Sequence, residues 1–258
     1  MMKPEEIAAY IGAAAWLPQI GSWLYGKYIT PRVTILPNRS VEIGFTTLGP
    51  IMNLSMAFSS DRRDAVVTAF EASIVHQDGD RHILRWAGMS EKFSEITDST
   101  GNKQTVSKDQ TPIAFKIGTD ILLEKNVRFQ EPKFTQEINK YIDNLVVHFK
   151  FLKETEKDFV QKSMQSKEFR DVVKAHKESF WWKAGKYAVH FKMGSHKKLV
   201  LEDQTFYFIL NQLDIDELRR NLDMTEREFT NTIKSNLPEY KIEELTWNWR
   251  YPQFDRDV

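Results

Sequence analysis

A basic, aromatic-rich stretch over residues 179–201 offers the clearest ligand chemistry in this sequence. It contains no Asp or Glu but carries five lysines and two histidines. If it folds as a β-strand, the apolar residues face the core, and Lys186, His190 and Lys192 line the opposite face, because side chains alternate along a strand. Basic side chains with aromatic rings nearby suit phosphate contacts and base stacking. The stretch therefore predicts a site for an anionic oligonucleotide.

The predicted ligand site takes its residues from this stretch and from an aromatic segment over residues 246–254. In that segment Trp247 and Trp249 share one strand face, and we expect them to pack on the core rather than stack on a ligand. An alternative use of the lysines is to protect an edge hairpin against aggregation. The candidate ligand-binding residues are Trp181, Trp182, Lys183, Lys186, His190, Lys192, Lys197, Lys198 and Arg250.

Other kinds of chemistry have no support in the sequence. The chain has no cysteine, no short catalytic or nucleotide-binding motif, and no metal-ligand spacing among its six histidines. His76 and His82 flank an Asp-Gly turn and are predicted to be surface imidazoles that face each other across a hairpin. Lys+Arg and Asp+Glu both number 36, so an anionic partner has only local patches to bind. We predict no catalytic residue, metal or cofactor, and no enzyme.

The stretch over residues 7–26 predicts a transmembrane helix, because its twenty residues include no charge and about 20 residues span a bilayer core. Lys27 and Arg32 follow it and favour a cytoplasmic body behind a single pass of the bacterial inner membrane. A secretory signal peptide, or a helix at the membrane interface or packed on the body, are the alternatives. One helix face carries only small or polar residues, which favours contact between copies in a pore or oligomerisation helix: Ala8, Gly12, Ala15, Gln19, Ser22 and Gly26.

The rest of the chain divides by hydrophobic period. Residues 30–132 alternate with a period of two between turn signals, which predicts a β-sandwich-like region. Residues 133–178 change to helical spacing and predict a helical arm. Residues 179–258 predict a β-hairpin, a helix from Asp214, and a second helix opened by a Thr225–Glu228 capping box. Residues 1–29 are predicted to contain the membrane helix. The expected fold class of the chain is α+β.

This plan resembles the membrane effectors of bacterial nucleotide-signalling anti-phage systems, and in particular those of the Hailong type. The resemblance covers the whole chain loosely and depends on the architecture and on two segments, IAAYIGAAAWLPQIGSWLYG and FWWKAGKYAVHFKMGSHKK. In that family a nucleotidyltransferase makes DNA oligomers that hold a membrane channel shut.

Two hypotheses about function follow. The first, which the resemblance implies, is an oligomeric ion channel of antiviral defence whose cytosolic body binds a DNA-oligomer ligand made by a partner nucleotidyltransferase. The second is a membrane-anchored scaffold or adaptor that binds a protein partner through its β-sandwich or its helical arm.

Overall fold

A computed structural model describes residues 14–21, 23, 29–97 and 103–256 of the chain. Residues 14–21 and 23 are helical and exposed. The strands are β1 Arg32–Pro37, β2 Glu42–Thr46, β3 Gly49–Asp61, β4 Ala65–Val67, β5 Ala69–His76, β6 Arg81–Thr97, β7 Lys103–Gln110, β8 Phe115–Ile117, β9 Leu123–Gln130, β10 Gly185–Gly194, β11 Val200–Leu201 and β12 Thr205–Leu210. The further helices are α1 Pro132–Thr155, α2 Phe159–Gln165, α3 Lys167–Glu178 and α4 Gln212–Lys234.

Ten of these strands form one curled sheet, and β4 pairs with β8 separately. The order along the sheet is β11-β1-β3-β9-β6-β5-β10-β12, with β2 paired to β3 and β7 paired to β6. Strands that precede the helical arm in the sequence and strands that follow it lie in the same sheet, since β10 pairs with β5. The segments 30–132 and 179–258 therefore share one folded body.

An extended C-terminal segment, residues 250–255, closes the curled sheet into a ring and is called the closing segment below. Arg250 exchanges backbone hydrogen bonds with Ile43 of β2, and Asp255 exchanges them with Tyr207 of β12. Between these contacts the Phe254 ring enters the core, where it stacks on Phe206 with the ring centroids 5.3 Å apart. The hydrogen-bonding edges of β2 and β12 are thus both occupied by the same segment.

The inner face of the ring is a phenylalanine-rich core. Alternation along β3 turns Met52, Leu54, Met56 and Phe58 inward, and all four are buried. Burial of such apolar side chains is the main favourable contribution to the stability of the sheet.

Helices α1 to α4 form a layer beside one end of the ring. Leu145, Val172 and Ile233, from α1, α3 and α4, belong to its apolar cluster. His176 connects this layer to the sheet, because its Nε2 lies 3.1 Å from the carbonyl oxygen of Thr47, between β2 and β3. Burial lowers the pKa of His176 below its ordinary value.

The predicted sandwich is corrected to a single curled sheet. The alternating pattern showed that one face of each strand is buried, but a strand that curls around a core has the same pattern as one that packs against a second sheet. The helical arm over residues 133–178 agrees with α1 to α3. The two predicted C-terminal helices are one continuous helix, α4. Its capping box joins Asn211 and Asp214, whereas Thr225 lies buried in its middle.

The predicted transmembrane helix is also corrected. No helix in the described part of the chain is both long enough and apolar enough to cross a membrane. The predictions of a single-pass inner-membrane protein and of an ion channel are therefore wrong. The physical reason is that the stretch is uncharged without being strongly apolar, since its glycines, Pro18 and Gln19 lower its mean hydropathy. Of the predicted pore or oligomerisation residues, Ala15 and Gln19 are among the exposed helical residues. The other four, Ala8, Gly12, Ser22 and Gly26, lie outside the described residues.

Candidate functional site

Strand β10, which carries the predicted basic residues, lies inside the sheet and not at its edge. It pairs with β5 along one side and with β12 along the other. Its lysines therefore do not protect an edge, which was the alternative interpretation. Tyr187 and Val189 are buried, so Lys186, His190 and Lys192 occupy the outer face, as the alternating pattern predicted.

The strand register extends this outer face over four neighbouring strands, β12, β10, β5 and β6. Strands about 4.8 Å apart make such a surface roughly 14 Å wide. The surface, called the basic face below, consists of Lys186, Ile209 and three cross-strand rows. The rows are Tyr207–Ala188–Val75–Arg81, Thr205–His190–Ser73–Ile83 and Lys192–Glu71–Arg85.

Among the described residues, no element covers the basic face. Ile83 and Ile209 remain 45% and 48% exposed, and Arg81, Arg85 and Lys192 are exposed as well. A sheet face that carries large apolar and cationic side chains together without a covering element is a candidate for ligand contact.

The charges of the basic face are unequal in sign. On its four strands the cations are Arg81, Arg85, Lys186 and Lys192 and the carboxylate is Glu71. At the β12 margin of the face, Asp255 lies opposite Tyr207. Arg85 Nε donates a hydrogen bond to Glu71 at 2.8 Å. The remaining excess of positive charge gives the face a local field that attracts anions, although the whole chain is neutral.

The face also offers one aromatic ring. Tyr207 is half-buried, and the Lys186 ammonium lies 4.3 Å from the centroid of its ring. This cation–π contact holds the lysine chain along the sheet and not away from it. Beside it, Thr205 Oγ1 and His190 Nδ1 are 3.2 Å apart, and Arg81 Nε donates to Ser73 Oγ at 2.9 Å.

Three predicted site residues have structural roles elsewhere. Trp182 is buried in the core and donates from Nε1 to the Gly44 carbonyl oxygen. Trp181 is half-buried and donates from Nε1 to Glu131. Lys183 bridges Asp80 and Asp78 at 3.0 and 3.1 Å, and these hydrogen bonds raise its pKa. None of the three lies on the basic face.

The other predicted residues divide between the turn after β10 and the closing segment. Lys197 and Lys198 are exposed in that turn, beyond the rows of the basic face. Arg250 donates from Nε to Asp214 of α4 at 2.7 Å and so holds the closing segment against the helix. Trp249 lies over Gly44, as expected for packing.

The prediction for His76 and His82 was wrong. His76 is buried, and its Nδ1 lies 2.8 Å from Asp78. The His82 ring stacks on Trp181 with centroids 3.8 Å apart, and its Nδ1 lies 3.2 Å from Glu131. The two imidazoles thus have separate partners. Within the described residues, no group of three or more His, Asp or Glu side chains is arranged to hold a metal ion.

No family model, curated protein or solved structure matches this chain. These comparisons therefore give no support to the resemblance to Hailong-type effectors, and the transmembrane helix on which it partly depends is contradicted by the structure.

Arg81, Arg85 and Tyr207 belong to the basic face but were missed in the sequence. Arg81 and Arg85 alternate with Ile83 in β6, which marks them as one strand face. Arg81 and Arg85 are far from β10 in the sequence. They lie near it in the structure because β5 pairs with β6 on one side and with β10 on the other.

Proposed function

We propose that this protein binds single-stranded nucleic acid on the basic face. The observation that carries the proposal is the set of four cations, Arg81, Arg85, Lys186 and Lys192, on four strands that carry one carboxylate between them on this face. No element of the described residues covers this surface. The membrane-channel part of the earlier hypothesis is not retained.

The dimensions and chemistry of the face favour a single strand. A flexible strand can lie along a surface roughly 14 Å wide and bring several phosphates to separate cations. The exposed Ile83 and Ile209 and the Tyr207 ring give unstacked bases apolar surface, which a duplex with its bases stacked inside cannot use.

Binding can be measured by the fluorescence anisotropy of a labelled single strand of about 12 nucleotides, a length within the range that single sheet-based modules cover. Contacts to four phosphates predict that log K falls with log salt with a slope of about −3, since each phosphate on a single strand contributes about −0.7. Charge reversal in Lys192→Glu is expected to weaken binding by roughly tenfold and to make the slope shallower.

A matched control is Lys174→Glu, a charge reversal at an exposed position of α3, which lies outside the sheet. It is expected to leave the affinity unchanged within about twofold. An equal loss of affinity in Lys192→Glu and Lys174→Glu would mean that binding depends only on the net charge of the protein. That result would contradict a binding site on the basic face. Absence of binding by the wild-type protein at low salt would overturn the proposal outright. Equal binding of inorganic polyphosphate and the oligonucleotide would reduce it to a general polyanion surface.

A further inference from the structure

The outward face of α1 carries an unpartnered apolar pair flanked by charges. Val147 and Phe151 are 69% and 59% exposed. On a helix with 3.6 residues per turn, the same face includes Lys140, Asp143, Lys150 and Glu154. These four charged side chains are exposed, and no ion pair joins any of them to another side chain in the described residues.

The charge order on this face is self-complementary. Suppose that a second copy of α1 packs antiparallel, with Val147 of one copy opposite Val147 of the other. A residue that precedes Val147 in one copy then lies opposite the residue that follows Val147 by the same number of positions in the other copy. Lys140 then lies opposite Glu154 of the second copy, because both are seven positions from Val147. Asp143 comes within about 1.5 Å of Lys150 along the axis, because four positions correspond to about 6 Å and three to about 4.5 Å.

The positions of these residues around the helix axis agree with the same pairing. At about 100° per residue, Asp143 and Lys150 lie about 40° and 60° to the same side of Val147. A twofold axis perpendicular to the two helices keeps each residue on its own side, so Asp143 and Lys150 of different copies meet on one flank. Every ion pair occurs twice in such a contact. A parallel arrangement in register would instead oppose like charges.

We propose that this face of α1 forms an antiparallel, twofold-symmetric dimer with α1 of a second copy of the chain. Val147 and Phe151 form its apolar centre, and the Lys140–Glu154 and Asp143–Lys150 pairs set the register. An ordinary solvated helix face also carries Lys–Glu spacings of four, as Lys150 and Glu154 do. What distinguishes this face is the exposed Val147 at the centre of the charge symmetry with the exposed Phe151 one turn away.

Sedimentation velocity of the full chain over a range of concentrations at low salt tests the proposal. The wild-type protein is expected to show a monomer–dimer equilibrium. Asp143→Lys and Lys150→Asp are each expected to raise the dimer Kd by at least about tenfold, because each change introduces two repulsive contacts. The double variant Asp143→Lys/Lys150→Asp exchanges the charges and is expected to recover the wild-type Kd within about threefold.

The outcomes separate the alternatives. A wild-type protein that stays monomeric at all concentrations overturns the proposal. A dimer that persists unchanged in Val147→Lys is formed by another surface and overturns it as well. Failure of the double variant to recover, with both single variants weakened, overturns the antiparallel register. Since all these positions are exposed, circular dichroism is expected to show unchanged folding in every variant, and Lys174→Asp on α3 serves as the charge-reversal control.

Discussion

Glu71 lies between two cations on the basic face, opposite Lys192 on β10 and hydrogen-bonded to Arg85 on β6 at 2.8 Å. This carboxylate neutralises part of the surface that is proposed to attract phosphate. It also holds the Arg85 guanidinium in one position on the sheet.

The variant Glu71→Gln is therefore expected to tighten the binding of single-stranded nucleic acid. Removal of one negative charge between two cations makes both available to phosphate, and a gain of about threefold to tenfold is reasonable for one charge at low salt. Fluorescence anisotropy measures the gain, and Glu124→Gln, an exposed position on β9, is the control. A loss of affinity in Glu71→Gln would mean that Glu71 orients Arg85 for the ligand.

Arg250 is expected to contribute to stability and not to ligand binding. Arg250→Ala leaves the Asp214 carboxylate, which is buried, without its charged partner, and we expect a loss of about 2 kcal/mol in the free energy of unfolding. Urea denaturation measures this loss, and the exposed Arg39→Ala is the control. A clear loss of oligonucleotide affinity in a folded Arg250→Ala protein would return Arg250 to the ligand site.

Gly44 is expected to tolerate no side chain. A Cβ at this position would overlap the ring of Trp249, so Gly44→Ala should displace the closing segment and lower the free energy of unfolding by about 2 kcal/mol. Gly88→Ala is a matched control, because a Cβ at Gly88 meets no atom within 4 Å. Equal stability of the two variants in urea denaturation would show that Trp249 moves aside without cost.

His176 is expected to make the protein less stable in mild acid. Burial lowers its pKa in the folded state below the ordinary value of 6.5, so the unfolded chain takes up the proton first. The stabilising contribution of the neutral ring is complete above about pH 6.5 and is lost as the pH falls towards the folded-state pKa. Unfolding free energies measured at pH 7 and pH 5 should differ more for the wild type than for His176→Gln. The exposed His196→Gln should behave like the wild type.

The sequence predicted the local features of this fold and missed its closure. Alternation correctly assigned Lys186, His190 and Lys192 to one face of β10, since that pattern depends only on neighbouring residues. It could not show that Arg81 and Arg85 lie on the same surface, because this depends on pairing between distant strands. Trp182 looked like a stacking residue for the same reason: its partner, Gly44, lies 138 positions away.

The helical part shows a related limit. Thr225 and Glu228 match a capping box, but the preceding residues contain no Gly or Pro to stop a helix, and Asn211 already caps it. At residues 7–26, the absence of charge alone does not make a transmembrane helix, because the glycines, Pro18 and Gln19 lower the mean hydropathy.

The closing segment has a consequence for synthesis on the ribosome. Residues 250–255 follow every strand of the sheet in the sequence. The edges of β2 and β12 therefore stay unpaired until this segment, which is translated after α4, has been synthesised. During that interval two unpaired strand edges are exposed beside an incomplete core, a condition that favours aggregation. We therefore expect the nascent chain to depend on chaperones more than its final stability would indicate.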